Sequence, residues 1–373
     1  MIDGTALIYC EGALGTPRGR IANNLLRFSR RYHLLGVLDS NHAGRAANEV
    51  VGQQAAPLPI FADLSEALNA LPETPKYLVI GLDLVIGLAL GKQEAAPPGF
   101  RATIRAAIRQ GLSVDSAHRP FLHDDAEFPQ LAMIGPARLR SIGYPKRISA
   151  LHRYTGELQH ITAPRVAIIS TADPVGIKNL MAWLLAAALE QSGVHAEIIG
   201  TTETSWFQGV KYCALLDTAP RSYVSGELEA VIVQAARESQ PQAFLLEGSG
   251  SPLHQAHPTG WELLTTAQPS AVVLQHTPNH PDFPARDPHG IEAVLAHLRL
   301  LAALPGAAAP VAIALNRLES MPQACATTHA LLAEACSAPV YEASQVTAGP
   351  LAAWLIERLG LPDRTVTANG VGG

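Results

Sequence analysis

The chain has 373 residues with 48% hydrophobic and 16% charged residues, which argues for two packed α/β-type domains and against disorder. Lys plus Arg number 27 against 32 Asp plus Glu, a formal net charge of −5 with no basic block, so a nucleic-acid partner has no electrostatic footprint. Four cysteines stand apart with no CxxC pair, which excludes a recognisable zinc or disulfide framework and makes a reducing cytoplasm the expectation.

The opening MIDGTALIYCEGALG carries Asp3 and Glu11 and no basic stretch before its apolar run, so it reads as a first strand and not as a signal peptide. No apolar stretch reaches the roughly 18 residues of a membrane span, and no membrane partner is expected. Short apolar runs then alternate with amphipathic helical patterns, the signature of parallel sheets flanked by helices. Residues 5–10 predict a strand, 11–19 a turn, 20–31 a helix and 33–39 a second strand ending in Asp39. Residues 59–68 begin a third unit, 77–82 predict a strand, 100–111 a helix closed by Gly111, and 112–118 another strand. Residues 132–164, with Pro136, Pro145 and Pro164, read as short strands and a linker. The pattern restarts with a strand at 165–170, a helix at 178–192, a strand at 194–201 and a helix at 223–238. Strands at 243–251, 271–276, 310–316 and 338–343 follow, with a helix at 326–336 between the last two. The expected organisation is one α/β domain over 1–150 and a second over 151–373, meeting near 145–164.

Four stretches carry candidate chemistry. In 5–39 a strand, a Gly-containing turn, a helix and a strand ending in an acid resemble a dinucleotide fold, but the turn reads GALGTPRG and lacks GxGxxG. Arg18 and Arg20 beside the helix start could hold an anion; a Rossmann-like domain that binds no dinucleotide is the competing reading. STADPVGIKN (170–179) is laid out as a phosphate-binding strand–loop–helix, with Ser170, Thr171, Asp173, Val175, Gly176, Lys178 and Asn179 as candidate binding residues. Ile177 precedes Lys178, Asn179 replaces the metal-binding hydroxyl, Asp173 repels phosphate and Pro174 removes a donor, so hydrolysis of a nucleoside triphosphate is not expected. LLEGSGSPLHQAHP (245–258) sets Glu247 at a strand's carboxyl end, then Ser249, Gly250 and His254; Glu247 or His254 would serve as base, against the reading of a polar loop whose Glu caps a neighbouring helix. SAHRPFLHDDAEF (116–128) offers His118 and Asp124 to a substrate, with helix capping by Asp124 or Asp125 as the bland alternative and no fixed metal spacing. GTTETSWFQG (200–209) follows a strand and is expected at the ligand edge, with Glu203, Thr204 and Gln208 facing substrate and Trp206 and Phe207 either in a core or at an oligomer contact.

In order, EGALGTPRGRIANNLLRF, VLDSNHAGRAANEVVG, SAHRPFLHDDAEF and LLEGSGSPLHQAHP resemble the motifs of one family over nearly the whole chain. It is the two-domain P-loop family once labelled putative NAD-dependent epimerases, which includes D-glutamate N-acetyltransferases. The resemblance implies a Rossmann-like N-terminal domain and a P-loop NTPase-like C-terminal domain. It further implies an acetyl-CoA or other CoA thioester donor and an acidic D-amino acid acceptor. The family's loop, about GTDCxxGK, becomes STADPVGIK: either an insertion after Thr171 keeps Asp173 and Lys178 in register, or Ile177 falls on the lysine. TGQTG likewise becomes TTETSWFQG. The expected function is therefore an acyl-CoA-dependent N-acyltransferase in a cytoplasmic homo-oligomer acting on a small molecule. A nucleotide-dependent ligase or kinase-like enzyme using ATP and Mg, and a non-catalytic ligand-binding paralogue, are the alternatives.

Overall fold

The computed structural model describes residues 3–82, 96–171, 178–248, 250–253, 259–278, 290–304, 309–316, 322–343 and 348–362. They form two compact units: residues up to Pro145 together with Glu203–Val210, and Lys146–Thr202 together with Lys211 onward. Among the described residues, no helix is long and apolar enough to cross a membrane.

The first unit is built on strands β1 (Gly4–Tyr9), β2 (Tyr32–Leu38), β3 (Ile60–Phe61), β4 (Tyr77–Ile80), β5 (Ser113–Ser116) and β6 (Leu139–Ser141). They lie in the order β3-β2-β1-β4-β5-β6, with every pair parallel. The chain runs outward from β1 to β3 and then crosses back to β4, so the direction of winding reverses between β1 and β4. Its helices are α1 (Arg20–Arg27), α2 (Ala47–Val51), α3 (Leu64–Ala70), α4 (Phe100–Arg109) and α5 (Phe128–Ile134). Sequence chemistry sets their ends. Asp63 accepts the Glu66 N–H while Glu66 accepts the Ala62 N–H, a reciprocal cap that starts α3. The α1 helix stops at Arg27, short of the expected Arg31, because Phe28 turns extended.

The second unit holds β7 (Arg165–Ser170), β8 (Ala196–Gly200), β9 (Tyr212–Cys213), β10 (Ala243–Glu247), β11 (Ala271–His276), β12 (Val311–Asn316) and β13 (Val340–Ala343). These form a parallel sheet in the order β13-β12-β11-β7-β10-β8-β9. Every residue of β10 and β11 is buried, as expected of strands covered on both faces by crossover helices, and this is why they read as apolar runs up to their polar carboxyl ends. The crossovers are α6 (Lys178–Gln191), α8 (Val224–Ser239), α9 (Thr259–Ala267), α10 (Ile291–Ala302) and α11 (Pro322–Ala335); α7 (Glu203–Gln208) intervenes after β8, and α12 (Ala348–Leu359) follows β13. β7 is the hub: the chain leaves it toward β8, returns to fill β10 beside it, and then passes to β11 on its other side. The core between sheet and helices is formed by Ile169, Leu228, Phe244, Leu246, Leu263, Leu274 and Ile313, among others.

Although it follows β8 in the chain, α7 belongs to the first unit. Arg31 explains the placement. Its Nε donates to the Trp206 carbonyl at 2.6 Å while its guanidinium lies 3.9 Å from the centre of the Trp206 ring. Arg140 lies 5.1 Å from the same ring and 4.9 Å from that of Tyr77, and Phe207 is fully buried. Trp206 and Phe207 are thus packing residues of the first unit. Sequence reading placed this segment at the second sheet's ligand edge.

Candidate functional site

The carboxyl ends of the second sheet's central strands carry a row of polar residues on otherwise apolar strands. β7 ends in Ser170 and leads into Thr171, β8 leads into Thr201, and β10 ends in Glu247 and leads to Gly250 and Ser251. β11 ends in Gln275 and His276 and leads into Thr277, and β12 ends in Asn316. Apart from Gly250, each of these is at most 4% exposed, Glu247 only 1%. Polar groups tolerate such burial only when they are hydrogen-bonded. Thr171 N–H donates to the Gln275 carbonyl at 3.0 Å, and Thr171 Oγ1 lies 2.9 Å from His276 Nδ1. Gln275 Nε2 donates to Asn316 Oδ1 at 3.3 Å, and Asn316 Nδ2 donates to Thr277 Oγ1 at 2.9 Å. On the other side of β7, Thr201 Oγ1 donates to the Glu247 carbonyl at 2.6 Å. The winding reverses at β7, so this row lies where open α/β sheets receive their ligands.

Ser251 and His297 form a second polar pair in this unit. His297 Nδ1 donates to the Ala293 carbonyl at 2.6 Å, which fixes the tautomer and leaves Nε2 to accept from Ser251 Oγ at 2.8 Å. Burial holds the imidazole below its ordinary pKa and therefore neutral. Leu253 N–H also donates to Ser251 Oγ, so the serine ties the loop after β10 to α10.

Of the residues singled out in the sequence, Ser170, Thr171, Glu247 and Gly250 lie along this edge. Lys178 and Asn179 open α6, a helix with no acid in its first turn; their side chains lie outside the described residues. Asp173, Val175, Gly176, Ser249 and His254 also lie outside them. Glu203, Thr204 and Gln208 are on α7 in the first unit, where Glu203 approaches Arg119 at 4.0 Å and Thr204 and Gln208 are buried. Asp124 accepts the Tyr144 hydroxyl at 2.8 Å. Asp125 is the cap: it accepts the N–H groups of Glu127 and Phe128 at the start of α5, and its hydrogen bond with Arg101 holds its pKa at about 2. Sequence reasoning missed Gln275, His276, Asn316, Ser251 and His297. A polar residue closing an apolar run marked the first three; nothing in the helical pattern marked His297.

The first sheet's turn answers the dinucleotide question. Asp39 is fully buried and accepts from Gly12 N–H at 2.9 Å and Asn41 N–H at 3.2 Å, with His42 Nδ1 at 2.7 Å. Its oxygens staple the turn after β1 to the end of β2, in place of meeting ribose hydroxyls. Four further N–H groups of the turn are also engaged. Gly15 N–H meets Asn23 Oδ1 at 3.0 Å, while Ala13, Thr16 and Gly19 N–H groups reach Cys10, Ala13 and Thr16 carbonyls. Gly12 and Gly15 adopt φ values of +62° and +76°, so they serve this closed turn. A pyrophosphate cradle needs converging unspent N–H groups, and those of Gly12, Ala13, Gly15, Thr16 and Gly19 are spent. Among the described residues, no group of three His, Cys, Asp or Glu side chains could hold a metal ion.

Comparison with known proteins agrees with this architecture. The family profile described as "Domain of unknown function (DUF1611_C) P-loop domain" matches residues 152–352. A second, "Domain of unknown function (DUF1611_N) Rossmann-like domain", matches residues 40–140. No curated protein matches the chain. Among solved structures, a DUF1611 family protein from Anabaena variabilis is similar, with a TM-score of 0.77 and 20% sequence identity over 96% of this chain and 99% of that one. At that identity the likeness speaks for the fold alone.

Proposed function

The chain belongs to the DUF1611 family, a Rossmann-like domain followed by a P-loop domain, and from that premise we propose that it is an acyl-CoA-dependent N-acyltransferase acting on an amino acid. The observation that carries the reading is Glu247, a carboxylate 1% exposed at the end of β10, beside the hub strand β7 and its strand–loop–helix. A carboxylate so placed is suited to general-base work at a ligand edge. The start of α6, with no acid in its first turn, suits a diphosphate such as that of CoA. In the proposed step Glu247 takes the proton of the acceptor amine as its nitrogen forms a bond to the thioester carbonyl carbon. The C–S bond breaks and the thiolate leaves to be protonated. In this reading donor and acceptor meet along the edge that carries Thr171, Thr201 and Gly250.

The resemblance noted in the sequence supports the same donor and an acidic D-amino acid as acceptor. The test mixes purified protein with acetyl-CoA and a panel of D- and L-amino acids while free thiol is followed with a chromogenic disulfide. Acceptor-dependent thiol release is expected, lowered by about 10²–10⁴-fold in Glu247→Gln. Absence of release with every acceptor refutes the reading. The family's P-loop description favours a second one, a nucleoside triphosphate at the same loop. Ile177, set between Gly176 and Lys178, and Asn179, where a metal-binding hydroxyl is needed, weigh against it, and a rise in melting temperature with ATP and Mg would restore it.

A further inference from the structure

The carboxyl edge of the first sheet holds two buried polar groups that the stapled turn does not use. Tyr9 closes β1 and is 3% exposed; His118 lies two residues beyond β5 and is 8% exposed. Both pack on Phe100, the first residue of α4, itself 5% exposed: the ring centres are 5.5 Å apart for Tyr9 and 5.2 Å for His118. Neither the Tyr9 hydroxyl nor His118 Nδ1 has a hydrogen-bond partner among the described residues. Interior polar atoms are almost always paired, so two unpaired ones on one aromatic ring at a winding reversal call for an explanation.

The surroundings define what would pair them. Burial alone pushes His118 down to about 4, so the ring is neutral at pH 7 and its Nδ1 can carry a proton. Burial, followed by the charges of Glu11, Cys10 and Asp39, raises the Tyr9 phenol well above its ordinary value, which keeps it a neutral donor. The two acids are committed elsewhere: Glu11 accepts from Ser40 N–H and its hydroxyl, and Asp39 is occupied by the turn. The ten-residue helix α4 begins at Phe100 with no acid in its first turn, adding the positive end of a helix dipole. The Gly12, Ala13, Gly15, Thr16 and Gly19 N–H groups of the nearby turn are already spent and offer a phosphate nothing. Two neutral donors beside a flat apolar ring match a planar two-oxygen anion.

We propose that this edge of the first sheet binds the carboxylate of a small organic acid, with Tyr9 Oη and His118 Nδ1 donating to its oxygens. The site lies within the first unit and does not depend on acyl transfer by the second.

The experiment follows thermal unfolding of the full chain by the fluorescence of Trp206, the one tryptophan of this unit, in a variant whose other three are Phe. Acetate, succinate and glutamate are the probes, with acetamide and phosphate as controls. A carboxylate at a hundred times its Kd should raise the midpoint by about 5 °C, and neither control should. Tyr9→Phe should lose that rise yet melt about 2–4 °C higher without ligand, because it removes a buried hydroxyl that has no partner. A second readout, the His118 ring nitrogen resonances, should shift with carboxylate in the parent and stay still in Tyr9→Phe. The proposal is overturned if no carboxylate moves either signal, if the rise survives both Tyr9→Phe and His118→Phe, or if Tyr9→Phe alone melts lower than the parent.

Discussion

Replacing Asp39 by alanine separates a stapled turn from a dinucleotide site. The carboxylate is fully buried and engages Gly12 N–H, Asn41 N–H and His42 Nδ1 at 2.9, 3.2 and 2.7 Å. A hydrogen bond to a charged group contributes about 1.5–3 kcal/mol, and the terms are not additive because all three share one carboxylate. Removing it also leaves Gly12 N–H without its acceptor. The expected loss for Asp39→Ala is therefore about 3–5 kcal/mol of first-unit stability. Asp39→Asn keeps one acceptor oxygen and should lose about 1–2 kcal/mol. Urea titration with Trp206 as the local probe reads the change without assuming that both units unfold together. In parallel, NADH fluorescence enhancement should be absent in the parent protein. A loss below about 1 kcal/mol, together with NADH binding that disappears in Asp39→Ala, would mean that the carboxylate serves a ribose and would refute the argument.

Acid should weaken the first unit through His118. Its folded pKa, about 4, lies below the ordinary 6.5, so between these values the unfolded chain binds the extra proton. Stability from this group is then complete above pH 6.5 and falls as pH drops toward 4, by at most about 3 kcal/mol. Urea midpoints across that window should fall less steeply in His118→Phe than in the parent; equal slopes would contradict the assignment. In the second unit, a Cβ on Gly226 would stand 2.2 Å from the His152 carbonyl oxygen, a collision with backbone. Gly226→Ala should displace the segment that Glu227 and Glu229 tie to α8, costing about 2–4 kcal/mol by chemical denaturation. An unchanged midpoint would show that the segment moves aside freely.

Much of the fold could be read from the sequence because parallel strands buried on both faces leave a local record. The run at 271–276 gives β11 at its observed bounds, and the stretch around 178–192 gives α6 to within one residue. Glu247 was also legible, since a carboxylate closing AFLLE is conspicuous in any apolar run. The rest depended on contacts between residues far apart in the chain. Asp39 stands where a ribose-binding acid would stand, and only the Gly12 N–H, 27 positions away, makes it a staple. TTETSWFQG follows a strand of the second sheet, yet Arg31, 175 positions before Trp206, draws it to the first unit through a cation over an indole. His297 carries no local mark; its role comes from Ser251, 46 positions earlier. Sequence fixes periodicity and end chemistry, which are properties of neighbours along the chain. The choice of partner for each buried polar group is made by the packed sheet, because only there must every donor find its acceptor.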